Sequence, residues 1–259
     1  MKAADEQILR DAHDRAKEAH GIEDQDPDRI AAVIPIRSVE WTQEKEDRRR
    51  EREEQRARRA TAERLDSLRA DCGPRLDPFT TTLDSFVQYD DAQPKTLREV
   101  GRFIEDIEEH TESGDGVVLI GPPGTGKDHL AISIVREAII RLGASGRWLD
   151  FAGFRGELRD AIKSSRAEKK LLRPFLRTGV LILSDPVALG SKLTDYQADI
   201  LFRVVDGRWR AKRPTILTAN FSSEADMCSA LGSQVVDRLS HGGLRLLCKW
   251  DSYRQRNSQ

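Results

Sequence analysis

The segment Gly121-Pro122-Pro123-Gly124-Thr125-Gly126-Lys127-Asp128 constrains the fold more than any other part of this chain. It reads G-x-x-x-x-G-K, the spacing of a phosphate-binding loop, and departs from that pattern at its last position, where Asp128 replaces Ser or Thr. The apolar run Val117-Val118-Leu119-Ile120 precedes it; Leu130, Ile132, Ile134, Val135, Ala138 and Ile139 follow at helical spacing. Such a loop works only between a strand and a helix. Its glycines let backbone N–H groups close around phosphate oxygens, the helix N-terminus adds positive potential, and Lys127 adds a point charge. Gly121 through Lys127, with Asp128 and His129, are therefore the candidate nucleoside-triphosphate-binding residues.

From Pro94 onward the chain alternates between apolar runs and amphipathic stretches. The pattern predicts a helix over 95–112, strand 117–120, helix 127–142, strand 147–151, helices across 153–177 and strand 179–183. Helix 193–211, strand 215–219, short helices to 239 and a last strand 244–248 complete it. Alternation of this kind implies an α/β fold, a parallel sheet with helices on both faces, and ligands bound at the carboxyl ends of the strands. The phosphate loop, Ser184-Asp185 and Asn220 each follow a predicted strand, so they are expected to converge on one edge.

The first seventy or so residues differ from the rest. Residues 3–20 read as a polar helix ending at Gly21, a turn follows at 24–28, and Ile30-Ala31-Ala32-Val33-Ile34 is a short apolar patch. Between positions 44 and 59, fourteen of sixteen residues are charged. Glu44–Arg48, Glu46–Arg50 and Glu54–Arg58 sit at i,i+4 with the acid first, each contributing about 0.2–0.5 kcal/mol to a helix. This stretch reads either as a solvated helix or as an arm that grips a partner. Leu65 and Leu68 add a weak apolar stripe, and Gly73-Pro74 ends the helix. The expected boundary therefore separates a polar helical extension, 1–73, from a nucleotide-binding domain, 74–259.

Composition excludes several classes. With 43 basic and 44 acidic residues the chain has no global basic signature, so contact with nucleic acid requires a local patch. Cys72, Cys228 and Cys248 lie far apart without metal-ligand spacing and read as reduced thiols. The N-terminus lacks a signal-peptide pattern and no apolar run approaches membrane-spanning length, so a soluble, cytoplasmic protein is expected.

Several motifs in order resemble the DnaC/DnaI/IstB branch of AAA+ ATPases. They are Gly121–Leu130, Val180–Leu183 with Ser184-Asp185, Pro214-Thr215-Ile216-Leu217-Thr218-Ala219-Asn220, Val235-Val236-Asp237-Arg238-Leu239 and Trp250-Asp251-Ser252-Tyr253-Arg254. The likeness runs from about Phe79, with the lead-in Thr82-Leu83-Asp84-Ser85-Phe86, to Arg254, and leaves residues 1–70 uncovered. It implies a three-layer P-loop AAA+ domain with a five-stranded parallel sheet that binds ATP and Mg²⁺ and assembles with copies of itself. By this resemblance Lys127 would bind the β- and γ-phosphates, Asn220 would orient the attacking water, and Arg238 would reach a neighbouring subunit's nucleotide as an arginine finger. The bland reading of Arg238 is a salt bridge with a nearby acid.

In that family the second strand ends in two acids, one holding Mg²⁺ and one polarising water; here Ser184 and Asp185 stand there. Asp128 and Ser184 thus look like an exchange of the carboxylate and hydroxyl of one magnesium site, whose ligands would be Asp128, Ser184 and Asp185, all hard oxygens. The competing expectation is decay to a binder with little hydrolysis.

For partners, the resemblance implies a replicative helicase and single-stranded DNA. An IstB-like helper that binds duplex DNA and serves a transposase, and a non-hydrolysing adaptor, are the alternatives. The candidate DNA surface lies within 148–177, where Lys163, Arg166, Lys169, Lys170, Arg173 and Arg177 would follow phosphates. Trp148, Phe151 and Phe154 read better as core than as stacking platforms.

Overall fold

The computed structural model describes residues 36–161, 164–187 and 191–256. The helix expected at 3–20, the turn at 24–28 and the apolar patch at 30–34 fall outside the described residues, as does Lys163. Contacts divide the chain into two units, residues 1–57 and 58–259. The division lies upstream of the Gly73-Pro74 break. That break does end helix α1 (Ile36–Cys72), but Leu65 and Leu68 are buried in the core of the second unit, so the last turns of α1 belong to it.

In the first unit the described part of α1 exposes its charged side chains, and Arg48 pairs with Glu44 at 2.8 Å, Arg49 with Glu53 at 3.4 Å. Pairs this exposed contribute little beyond helix propensity.

The second unit is a five-stranded parallel sheet between two helical layers. Helices α2 (Gln93–Glu105) and α3 (Ile107–Ser113) lead into β1 (Val117–Ile120), and the phosphate loop joins it to α4 (Lys127–Leu142). There follow β2 (Gly146–Asp150), α5 (Phe151–Ala161), α6 (Ser165–Arg177) and β3 (Val180–Ser184). Then come α7 (Asp195–Arg210), β4 (Thr215–Ala219), α8 (Glu224–Leu231), α9 (Ser233–Ser240), β5 (Leu244–Leu247) and α10 (Tyr253–Arg256). The strand order is β2-β3-β4-β1-β5, with β4 central and β1 beside it, paired in parallel to β4 and β5.

Strand β1 shows why the sheet is covered on both faces. Val117 and Leu119 point into one apolar cluster with α2, α4 and the Leu65–Leu68 turn; Val118 and Ile120 point into another with α5 to α9. Side chains alternate with a period of two, so a strand apolar at every position must be buried twice. Local signals set the helix ends. Thr194 and Gln197 form a reciprocal capping box at the start of α7, Ser164 caps α6, and Gly143 in the left-handed region ends α4. Among the described residues no helix is long and apolar enough to cross a membrane.

The expected elements are present with small shifts. The helix expected at 95–112 breaks at Asp106, and strand β2 ends at Asp150, so Phe151 opens α5 instead of closing the strand. Strand β3 runs one residue further than expected, which places Ser184 inside the sheet and not after it.

Candidate nucleotide-binding site

The phosphate loop, Asp185 and Asn220 do converge at the carboxyl ends of β1, β3 and β4. They line a cavity of about 610 Å³ together with Phe86, Val87, Tyr89, His129, Tyr253 and Arg254. The loop's glycines are required by geometry. Gly124 and Gly126 have φ near 81° and 88°, in the left-handed region, and a Cβ at either would run into Ser252 or the Phe86 ring. Helix α4 begins at Lys127, so its N-terminal N–H groups face the same cavity.

Lys127 is buried and its ammonium donates to Gly121 O at 2.9 Å, Pro122 O at 2.7 Å and Asn220 Oδ1 at 3.0 Å. All three acceptors are uncharged. Burial pulls its pKa below the ordinary lysine value, while the Asp128 and Asp185 carboxylates of the same cavity pull it back up. Asn220 in turn donates through Nδ2 to Asp185 Oδ1 at 2.9 Å, which fixes its amide orientation and links the ends of β3 and β4 to the loop. Asp185 adopts φ 40°, an uncommon conformation for a non-glycine residue. Burial and the neighbouring Asp128 carboxylate raise its pKa. Two carboxylates that face one cavity and repel each other are the oxygen donors that a divalent cation suits. The glycine cradle, the buried Lys127 and this acid pair fit a magnesium-bound polyphosphate.

Ser184 behaves differently from the expected magnesium ligand. Its side chain is buried, and its hydroxyl accepts from Thr218 Oγ1 at 3.3 Å across the β3–β4 pair. The cavity lining includes Asp128 and Asp185 but not Ser184. The structure brings together half of the proposed exchange, because a residue within the strand pairs with its neighbour while the residue after it turns into the cleft.

Arg238 lies on α9, away from this cavity. Its Nε donates to Asp206 Oδ1 at 2.7 Å, its Nη1 donates to Gln234 O at 3.0 Å, and its guanidinium lies over the rings of Phe202 and Trp209. The salt bridge with a nearby acid is therefore present in this conformation.

On α6, Arg166, Lys169, Lys170, Arg173 and Arg177 are all exposed, while Leu172 and Phe175 anchor the opposite face in the core. Glu168 turns the other way, accepting from Tyr196 Oη at 2.8 Å and Arg203 Nη1 at 2.7 Å on α7, and so orients the basic face outward. Phe151 and Phe154 are core residues and Trp148 packs half-buried against the core, so none of the three is a stacking platform.

Sequence reasoning left several lining residues unassigned. Phe86 closes the lead-in segment and Val87 and Tyr89 follow it directly; His129 pins this stretch by donating from Nε2 to Thr82 O at 2.7 Å. Arg254 was visible only as part of a motif; it lies near enough to Lys127 to help lower its proton affinity.

Comparison with known proteins places this geometry. The family model described as IstB-like ATP binding protein matches residues 49–259. The replicative helicase loader DnaC of Escherichia coli K12 is 30% identical over 168 residues, 64% of this chain and 66% of the loader, so the chain spans just under two thirds of that relative. An IS5376 putative ATP-binding protein of Geobacillus stearothermophilus is 37% identical over 149 residues, 56% of this chain and 57% of the relative. A crystal structure of the DnaC helicase loader superposes with TM-score 0.58 and 25% identity, covering 66% of this chain and 97% of that one. The family model covers well over half of the sequence, so the chain belongs to the family of IstB-like ATP-binding proteins, on the P-loop AAA+ fold.

Proposed function

We propose that this protein binds Mg²⁺-ATP at the cavity of β1, β3 and β4 and acts as a helicase-loading factor on single-stranded DNA. The observation that carries the reading is the site just described, set in a chain similar to replicative helicase loaders over most of its AAA+ domain. Lys127 and the loop N–H groups would hold the phosphates. Asp128 and Asp185 would hold the cation, which when bound withdraws charge from the phosphates. Asn220, fixed by its bond to Asp185, would orient the attacking water, and Asp185 would polarise it. Arg238 would act on the nucleotide of a neighbouring copy, and the charged N-terminal helix would grip the helicase.

The exposed α6 face supplies the DNA surface. Single-stranded DNA binding should fall steeply with salt and be lost when Lys169, Lys170 and Arg173 become Glu. The deciding experiment is co-purification with the host's replicative helicase in ATP and in ADP. Nucleotide-dependent association supports the reading; no association in either state overturns it.

The family match and the 37% identity to an insertion-sequence ATP-binding protein favour a second reading, a transposition helper on duplex DNA. ATP-dependent coating of duplex DNA in preference to single strands would select it.

A further inference from the structure

The geometry points to the C-terminal segment 250–253 as an external brace that aims the phosphate loop, with Trp250 and Tyr89 as positioning residues. This rests on nucleotide binding at the site above and adds what shapes the loop before any ligand arrives.

The chain enters the brace directly from β5. Cys248 N donates to Ile120 O at 2.8 Å, continuing the β1–β5 ladder to the edge of the loop. Trp250 is buried, and its indole N–H donates to the carbonyl of Thr125 at 2.8 Å. Two residues on, Ser252 packs against Gly124 so closely that only glycine fits, and Tyr253 N donates to Gly124 O at 2.9 Å. From the other side Tyr89 Oη donates to Asp251 O at 2.8 Å, and the Tyr89 and Tyr253 rings lie 5.6 Å apart. The lead-in segment and the C-terminal segment thus hold each other while both touch the loop.

In a planar trans peptide the C=O and N–H point in opposite directions. Fixing the carbonyls of Gly124 and Thr125 therefore turns the N–H groups of Thr125 and Gly126 away from the brace and toward the cavity those residues line. Glycine-rich loops are otherwise free to rotate these peptide planes. An unbraced loop would spend binding free energy on aligning its N–H groups. The same arrangement carries Arg254 to the cavity wall, one residue beyond Tyr253.

Two variants of the full-length chain test this. Trp250→Phe keeps an aromatic ring and removes only the indole donor, and Tyr89→Phe removes an exposed hydroxyl outside the core. ATP, ADP and adenosine affinities are measured for each by calorimetry and competition. Loss of one hydrogen bond predicts roughly tenfold weaker ATP and ADP binding for Trp250→Phe and about threefold for Tyr89→Phe, with adenosine unchanged. Amide NMR signals of Thr125 and Gly126 should broaden in the unliganded variants. If Trp250→Phe does not fold, Tyr89→Phe alone decides. Unchanged ATP affinity, or an equal loss for adenosine, overturns the brace. Failure of the wild-type chain to bind ATP would instead remove the nucleotide reading itself.

Discussion

Lys127 and Arg238 are both cations with proposed tasks at a triphosphate, and the fold holds them in opposite ways. Lys127 is surrounded by two main-chain carbonyls and an amide oxygen, so nothing near enough to bond it carries a full negative charge. Arg238 is closed onto the Asp206 carboxylate, which also takes Arg210 at 2.9 Å, and lies over two aromatic rings. The first cation gains when an anion arrives. The second must surrender an ion pair before it can serve one. Arg208 supplies a third case: fully buried, it donates to Thr215 Oγ1 and to the carbonyls of Phe175, Thr178, Gly179 and Pro214, with no carboxylate among these partners. Uncharged oxygens alone can hold a buried cation as a structural staple, so it is its place in the cavity that sets Lys127 apart from Arg208.

Breaking each in turn sharpens the contrast. Replacing Arg208 by Met should have the largest effect on stability, about 3 kcal/mol in urea unfolding, because it strands several buried acceptors. Burial pushes this guanidinium's pKa down to about 9, below the unfolded value of 12.5, so between those values the unfolded chain binds more protons and the stability of the wild-type protein should rise with pH. Lys127→Ala should weaken ATP binding about 100-fold, ~2.7 kcal/mol, in titration calorimetry, while leaving the melting temperature of the unliganded protein unchanged or raised. An equal loss of stability would mean that Lys127 resembles Arg208 after all.

Asp206→Asn should cost only about 1 kcal/mol of stability, since the amide oxygen can still accept from Arg238. If Arg238 serves a neighbouring copy, it should also raise concentration-dependent ATP turnover; turnover that falls or stays level would assign the pair to structure alone. The smallest effect concerns Asp185. Its folded pKa lies above the unfolded value, so ionising it costs stability as pH rises through that interval and the cost is complete above the folded pKa. Asp185→Asn should therefore raise the melting temperature of the unliganded protein near neutral pH and leave it unchanged in acid.

Much of this was legible in the residues. The apolar run at 117–120, the glycine spacing after it and the helical period beyond it fixed strand, loop and helix together, because only that order buries β1 on both faces and leaves N–H groups free. Asp185 and Asn220 could be placed at the same edge because every parallel strand in such a sheet points its carboxyl end one way. Ser184 could not be separated from Asp185 by sequence, since a one-residue extension of β3 decides which of the two enters the cleft. The weak stripe of Leu65 and Leu68 gave no hint of full burial, which depends on packing against α2 and α4 from far along the chain.

By itself the sequence determined the element order, the phosphate loop and the chemistry offered at each strand end, because period and glycine spacing are local properties. Tertiary structure alone decided which groups meet. Arg208 reads as one more charge on a polar helix until five oxygens, three of them about thirty residues back, converge on it, and Trp250 reads as a terminal aromatic until its indole reaches Thr125, 125 residues back. Contacts of that range have no local signature. They exist only once the sheet has brought both ends of the domain to one edge.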